Sequence, residues 1–142
     1  MPRTCIIRIG RRAARQKQHG RCFWCNVEMD RPSARHDGAC TADHLVPRGK
    51  GGGNRVKNIV AACRGCNSER RDNDLTVWLV RVRFRLEKMG NLAFFEVILS
   101  RLQKRGIDTP LADTPATALP SQARPSAPDG ALPAPHIEAS PD

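Results

Sequence analysis

Three observations predict a small α+β domain wrapped around a four-thiolate metal site. Cys22-Phe-Trp-Cys25 and Cys63-Arg-Gly-Cys66 are two CxxC pairs with 37 residues between them. Between the pairs, "ACTADHLV" and "RVKNIVAAC" read as two short strands joined by a glycine-rich loop. Beyond the second pair, residues 75–106 carry two amphipathic stripes of helical period. The chain has 142 residues, room for one domain of ordinary size.

The cysteines justify the centre of this fold. No secretory signal precedes them, so a disulfide framework is not expected in a reducing cytosol. A CxxC pair forms a tight knuckle that presents two thiolates to one side. Two knuckles, at Cys22 and Cys25 and at Cys63 and Cys66, complete a tetrahedral four-sulfur shell for zinc. Such a shell has no open coordination position, so this Zn2+ is expected to be structural. Only six aromatic residues and no tyrosine are available for a core. Metal binding, on the order of 10 kcal/mol in small sites, would replace the missing burial. Cys5 and Cys40 lie outside both knuckles and read as small buried hydrophobes.

The elements follow in order. Ile9 to His19 is expected to be a basic helix stopped by Gly20. Residues 27–38 hold Pro32, Ser33, Asp37 and Gly38 and read as a turn-rich connection. "ACTADHLV" is the first strand, "GKGGGN" a mobile loop, and "RVKNIVAAC" the returning strand that ends in the second knuckle. "NSERRDN" has the polarity of a solvated helical turn. "VRVRFRLE" alternates as a strand would, yet Leu75, Trp78, Leu79, Val82, Leu86 and Met89 share one helical face. The length of that pattern selects a helix stopped by Gly90. "NLAFFEVILSRLQKRG" forms the last helix, with Asn91 as cap and Gly106 after its basic final turn. The two helices are expected to pack on each other and on the zinc core. Dimerisation through that surface is an alternative to a monomer.

Charge points to the partner. Residues 1–106 contain 23 Lys and Arg against nine Asp and Glu, and the first 25 residues hold seven basic residues and no acid. Cations that neutralise phosphates release counterions and gain affinity for nucleic acid regardless of base sequence. Residues 107–142 hold eight of the eleven prolines and five acids against one Arg, without an apolar period. That segment is expected to be a disordered tail, available to recruit a protein partner or to mask basic surface. No apolar run approaches the roughly 18 residues of a membrane span, and the N-terminus lacks the core of a signal peptide. A cytoplasmic protein is expected. The domains are read as 1–74 for the zinc core with its basic arm, 75–106 for the helical extension, and 107–142 for the tail.

The order of parts also carries a resemblance. "CFWC", "ADHLVPRGKGGG", "KNIVAACRGCN" and the basic "SERR" together resemble the HNH endonuclease family, in its zinc-containing, treble-clef-like ββα-metal branch. The resemblance covers residues 11–74. It implies that His44 is the general base activating water against a DNA phosphodiester, and that Asn58 holds the two-strand arch and orients that base. It implies that Asp43 and Asn67 ligate a catalytic divalent cation, and that Cys22, Cys25, Cys63 and Cys66 hold the structural zinc. An amide oxygen at Asn67 favours Mg2+ or Mn2+ over softer ions. The chemistry is coherent, because an oxygen-ligated cation stabilises the developing charge. A histidine side chain, with an ordinary pKa of ~6.5, serves as base near neutrality. The site is expected in a groove between strand, loop and the start of the helix containing Asn67, whose positive end favours phosphate. Arg48, Lys50, Arg70 and Arg71 are expected to flank it and contact double-stranded DNA. The alternative is a zinc-stabilised DNA-binding module without catalysis, in which Asp43 and His44 are structural.

Overall fold

The computed structural model describes residues 2–109. The expected tail falls, beyond its first three residues, outside the described residues. Helix α1 spans Arg3–Lys17, strand β1 Cys40–His44, strand β2 Ile59–Cys63, and helices α2, α3 and α4 span Arg64–Arg70, Leu75–Lys88 and Ala93–Gln103. This is the small α+β architecture the sequence predicts: a two-stranded antiparallel sheet covered by helices.

Helix α1 starts six residues before the expected Ile9. Pro2 precedes its first turn, and the Pro2 carbonyl accepts from the Cys5 and Ile6 amides. A proline at a helix start is favoured because its missing N–H would have had no partner there. The helix ends where His19 (φ 53°) and Gly20 (φ 75°) turn left-handed. It lies so close to β2 that a Cβ on Gly10 would come within 2.8 Å of Ile59 Cδ1.

The sheet pairs Cys40 with Cys63 at one end and His44 with Ile59 at the other. All five residues of β2 are buried. Its middle also bonds outside the ladder: the buried Gln18 side chain accepts from the Ala61 amide (3.0 Å) and donates to the Ala61 carbonyl (2.7 Å). One amide side chain thus stands in for a third strand at that residue, pairing the buried Ala61 amide and sharing the Ala61 carbonyl with the Phe23 amide. Nothing in the sequence pattern singles Gln18 out.

The loop after β1 is more regular than expected. Arg48–Lys50 forms a single 3-10 turn that closes at Gly51 (φ 84°). Gly52 then passes so near the chain that an added Cβ would sit 1.8 Å from the Val46 carbonyl oxygen.

Helix α3 is capped by the Asp74 carboxylate, which accepts from the Thr76 amide (2.9 Å). It buries Trp78, Leu79, Val82 and Leu86 as the stripe predicts. Met89 lies past the last turn and is exposed. Asn91 does not cap α4: the helix begins after Leu92 with no side-chain cap, and Asn91 contributes only its carbonyl, to the Phe94 amide. Phe95, Ile98 and Leu102 of α4 join α3, Phe23, Trp24 and the four knuckle cysteines in one buried cluster. Trp24 and Trp78 meet edge-on at 6.0 Å.

The two glycines predict unequal tolerance. Gly52→Ala forces backbone against backbone and should cost at least ~2 kcal/mol. Gly10→Ala gains about 1 kcal/mol of helix propensity against a side chain that can shift, and should change stability by less than that. Urea unfolding of both variants measures the order; equal effects would contradict the close approach at Gly52.

Candidate metal centre and adjoining cleft

The first knuckle is closed by the Cys22 amide donating to Val27 (2.8 Å) and the Asn26 amide to Cys22 (3.0 Å), with Asn26 at φ 61°. The second is the start of α2, where Cys63 Sγ accepts from the Cys66 amide. The two knuckles bring four sulfurs within 4.8 Å of one another in the interior. A tetrahedral zinc with bonds of about 2.3 Å sets its sulfurs about 3.8 Å apart. Cys25 and Cys63 stand at 3.8 Å, so the cluster fits the ion the sequence predicts.

Four thiols packed this closely do not ionise alike. Hydrogen bonding with Cys22 brings Cys25 down to about 7 and holds Cys63 far below the ordinary thiol range. Cys22, bonded to Cys25, and Cys66, bonded to Cys22, are pushed up. A divalent cation would replace those shared protons and satisfy all four sulfurs. Arg85 of α3 adds a cation beside the cluster, donating to Cys66 Sγ (3.4 Å) and to Glu69 while lying over the Trp78 ring. Burial opposes its charge, but Cys66 and Glu69 more than offset this and raise its pKa.

Trp24, inside the first knuckle, connects the metal centre to Asp43. Its indole N–H donates to Asp43 Oδ2 at 2.7 Å, and Arg70 Nη1 donates to Oδ1 at 2.7 Å. The same guanidinium bonds the His44 and Leu45 carbonyls and lies 5.3 Å from the Trp24 ring centre. Arg70 has no exposed surface and Asp43 only 4 %. This corrects the expectation that Arg70 flanks the groove: its charge is used inside the molecule, tying α2 to the end of β1. Burial pushes the Asp43 carboxyl up from its ordinary range, against the pull of Arg70 and Trp24.

His44 is the last residue of β1 and half-buried. Its Nε2 lies 3.0 Å from Asn54 Oδ1. That oxygen only accepts, so Nε2 carries the proton and Nδ1 is the basic nitrogen of the neutral ring. The resemblance implies that Asn58 both holds the arch and orients the ring, but the side chain bonded to the ring is Asn54. Asn58 ties the arch together, accepting from the Val46 amide (2.8 Å) and donating to the Val46 (3.1 Å) and Gly53 (2.9 Å) carbonyls. Asn54, last residue of "GKGGGN", carries no cue of its own in the sequence.

Asn67 turns its amide nitrogen to β1, donating to Thr41 Oγ1 (3.0 Å) and the Ala42 carbonyl (3.2 Å). It sits in mid-α2, not at the helix start. The first turn of α2 aims an amide at Cys63 Sγ, so its positive end serves the sulfur cluster. An open cleft of about 260 Å³ is lined by Asp43, His44, Asn67, Arg48, Arg71 and Asp72, with Ala42 and Pro47. Of the expected DNA contacts, Arg48 and Arg71 reach this cleft. Lys50 is exposed but pairs with Asp74 at 3.7 Å. Asp43 and His44 are the last two residues of β1, so Asp43 is buried while His44 is half-exposed where the strand ends, and both border one cleft.

Residues 22–74 match a family model described as HNH endonuclease. Together with the buried four-cysteine cluster, the match gives this stretch the zinc-binding fold of an HNH-like nuclease. No curated protein and no solved structure matches the chain.

Stripping zinc with a strong chelator should abolish the cooperative thermal transition in circular dichroism, since about 10 kcal/mol resides in such sites. Survival of that transition would contradict a structural ion. Asp43→Ala leaves the Arg70 charge buried and unpaired and should lower urea stability by about 3 to 5 kcal/mol. A loss below about 1 kcal/mol would show that Asp43 is not a structural partner.

Proposed function

We propose, from the HNH-like zinc-binding fold of residues 22–74, that the protein is a zinc-stabilised DNA-binding module whose cleft hydrolyses a phosphodiester with His44 as general base. The observation that carries the reading is the convergence of Asp43, His44 and Asn67 on one open cleft with Arg48 and Arg71 at its edge. His44 Nδ1 would accept a proton from water while Asn54 holds Nε2–H. Arg48 and Arg71 would hold the phosphate in place. Asn67 keeps its amide oxygen for the cleft because its nitrogen is committed to β1.

Asn67 and Asp43 would hold a divalent cation such as Mg2+ or Mn2+, which supplies Lewis-acid stabilisation of the charge developing on the phosphate. Asp43 fits this role only by sharing. Each of its oxygens already accepts one hydrogen bond, and a carboxylate offers about four lone-pair sites. The same carboxylate favours a second reading, DNA binding without cleavage: with Arg70 as its cation, Asp43 needs no metal. That reading asks less of the structure, because the fold and the sulfur cluster suffice for it. No helix among the described residues is long and apolar enough to cross a membrane.

Supercoiled plasmid incubated with the protein and Mg2+ or Mn2+ separates the readings. Conversion to nicked or linear DNA, reduced by about 10²-fold or more in His44→Ala with binding retained, is the expected result. Plasmid that is bound but intact under every divalent ion establishes the second reading. Failure to bind DNA overturns both.

A further inference from the structure

A cavity of about 720 Å³ lies between α1, the turn before β2 and the end of α4, away from the cleft of His44. Lys17, Lys57, Arg101, Lys104 and Arg105 line it, and no carboxylate does. None of these five cations forms an ion pair among the described residues. Phe23 forms part of the lining, with the Arg101 and Arg105 guanidinium carbons 5.9 and 5.8 Å from its ring centre. Arg105 is further held by the Lys57 carbonyl at 2.8 Å. Aromatic and backbone contacts thus hold two guanidinium groups against the same ring, where desolvation disfavours the charge of both and the Arg101 charge further disfavours that of Arg105.

The cavity is not isolated. It shares Lys57 and Arg105 with a neighbouring cleft of about 430 Å³ bordered by Gly51, Gly52 and Gly53. Those glycines border a third cleft, with Arg3 and Arg48, and Arg48 borders the cleft of Asp43 and His44. Shared residues therefore connect the C-terminal end of α4 to the candidate site through four successive concavities. Their cations come from α1, the loop between the strands, the turn after α2, and α4 with the residues that follow it.

We propose that this chain of concavities is a track for the phosphate backbone of duplex DNA, and that the pocket of Lys17, Lys57, Arg101, Lys104 and Arg105 binds phosphates remote from the candidate site. A small anion would need one or two of these cations. Five that form no ion pair among the described residues, continuous with more along the surface, suit a polymer of evenly spaced charges. Lys17, Arg101, Lys104 and Arg105 lie outside the stretch matched to the HNH family, so α1 and the helical extension would add DNA contacts to the zinc core. The proposal rests on the DNA-binding reading above and does not require cleavage.

Lys17 and Lys104 are exposed, so reversing them leaves the packing of Arg101 and Arg105 intact. The full-length Lys17→Glu/Lys104→Glu variant is titrated with a 30-base-pair duplex across a salt series. Arg35→Glu/Arg81→Glu, which changes net charge equally at exposed positions lining none of these clefts, is the control. Thermal melting confirms that both fold. The expected result is at least tenfold weaker binding for the lysine variant and a salt slope shallower by about 2, at roughly 0.9 per phosphate contact. Lys17→Arg/Lys104→Arg should bind as wild type. Equal weakening in both reversal variants, or an unchanged slope in the lysine variant, overturns the track. Absence of binding by wild type overturns the DNA-binding reading itself.

Discussion

Closure of four cysteine sulfurs around one point is the constraint on which the rest of the molecule depends. The first knuckle, the end of β2 and the start of α2 converge there. Two strands of five residues joined by a glycine-rich loop would be marginal alone in water. Anchored at Cys63, the returning strand is held in register, and the pairing of Cys40 with Cys63 through His44 with Ile59 follows. Apolar packing reinforces the same point, because Phe23 and Trp24 stand between the first pair of ligands and Trp78 packs against Trp24.

From that anchor a second set of contacts runs outward. Trp24 is fixed by its place between two ligands and presents its N–H to Asp43; Asp43 in turn pairs with Arg70 of α2. Removing a carboxylate and a guanidinium from water is expensive, and indole and carbonyl groups offset much of that cost, although Arg70 Nε stays buried without a partner. Its structural effect is to hold the end of β1, and therefore His44, at a set position beside α2. Asn58 does the equivalent work on the loop side with three bonds to backbone groups. The cleft between these supports is defined by polar contacts, which place atoms more narrowly than apolar packing does. The carboxylate that completes this scaffold is also the one the proposed divalent ion would share, so in that reading support and chemistry would use the same two oxygens.

Positive charge is distributed by the same logic. Arg70 and Arg85 are drawn inward, one to Asp43 and one to the sulfur cluster and Glu69. Arg101 and Arg105 lie half-buried over Phe23 and form no ion pair among the described residues. Cations held in this way are the ones the proposed phosphate track would use.

Several features were legible in the chain alone, and for physical reasons. The cysteine spacing specifies a tetrahedral sulfur site because knuckle geometry is local. The stripe from Leu75 to Leu86 specifies a helix because its period is local too, and the short strands at Ala42 and Ala61 lie where alternation and turn residues put them. Helix termini were less legible: Pro2 and Asp74 determine where α1 and α3 begin, while Asn91, the better cap by residue type, leaves α4 uncapped. What only the tertiary structure decided is which polar side chains face one another across distant segments. Arg70 looks like a surface cation beside Arg71, yet folding α2 onto β1 buries one and exposes the other. Asn54 and Gln18 carry no motif, yet one orients His44 and the other completes the hydrogen bonding of Ala61. A sequence records each donor and acceptor, but their pairing depends on separations of 10 to 43 residues that only the closed fold brings within 3 Å.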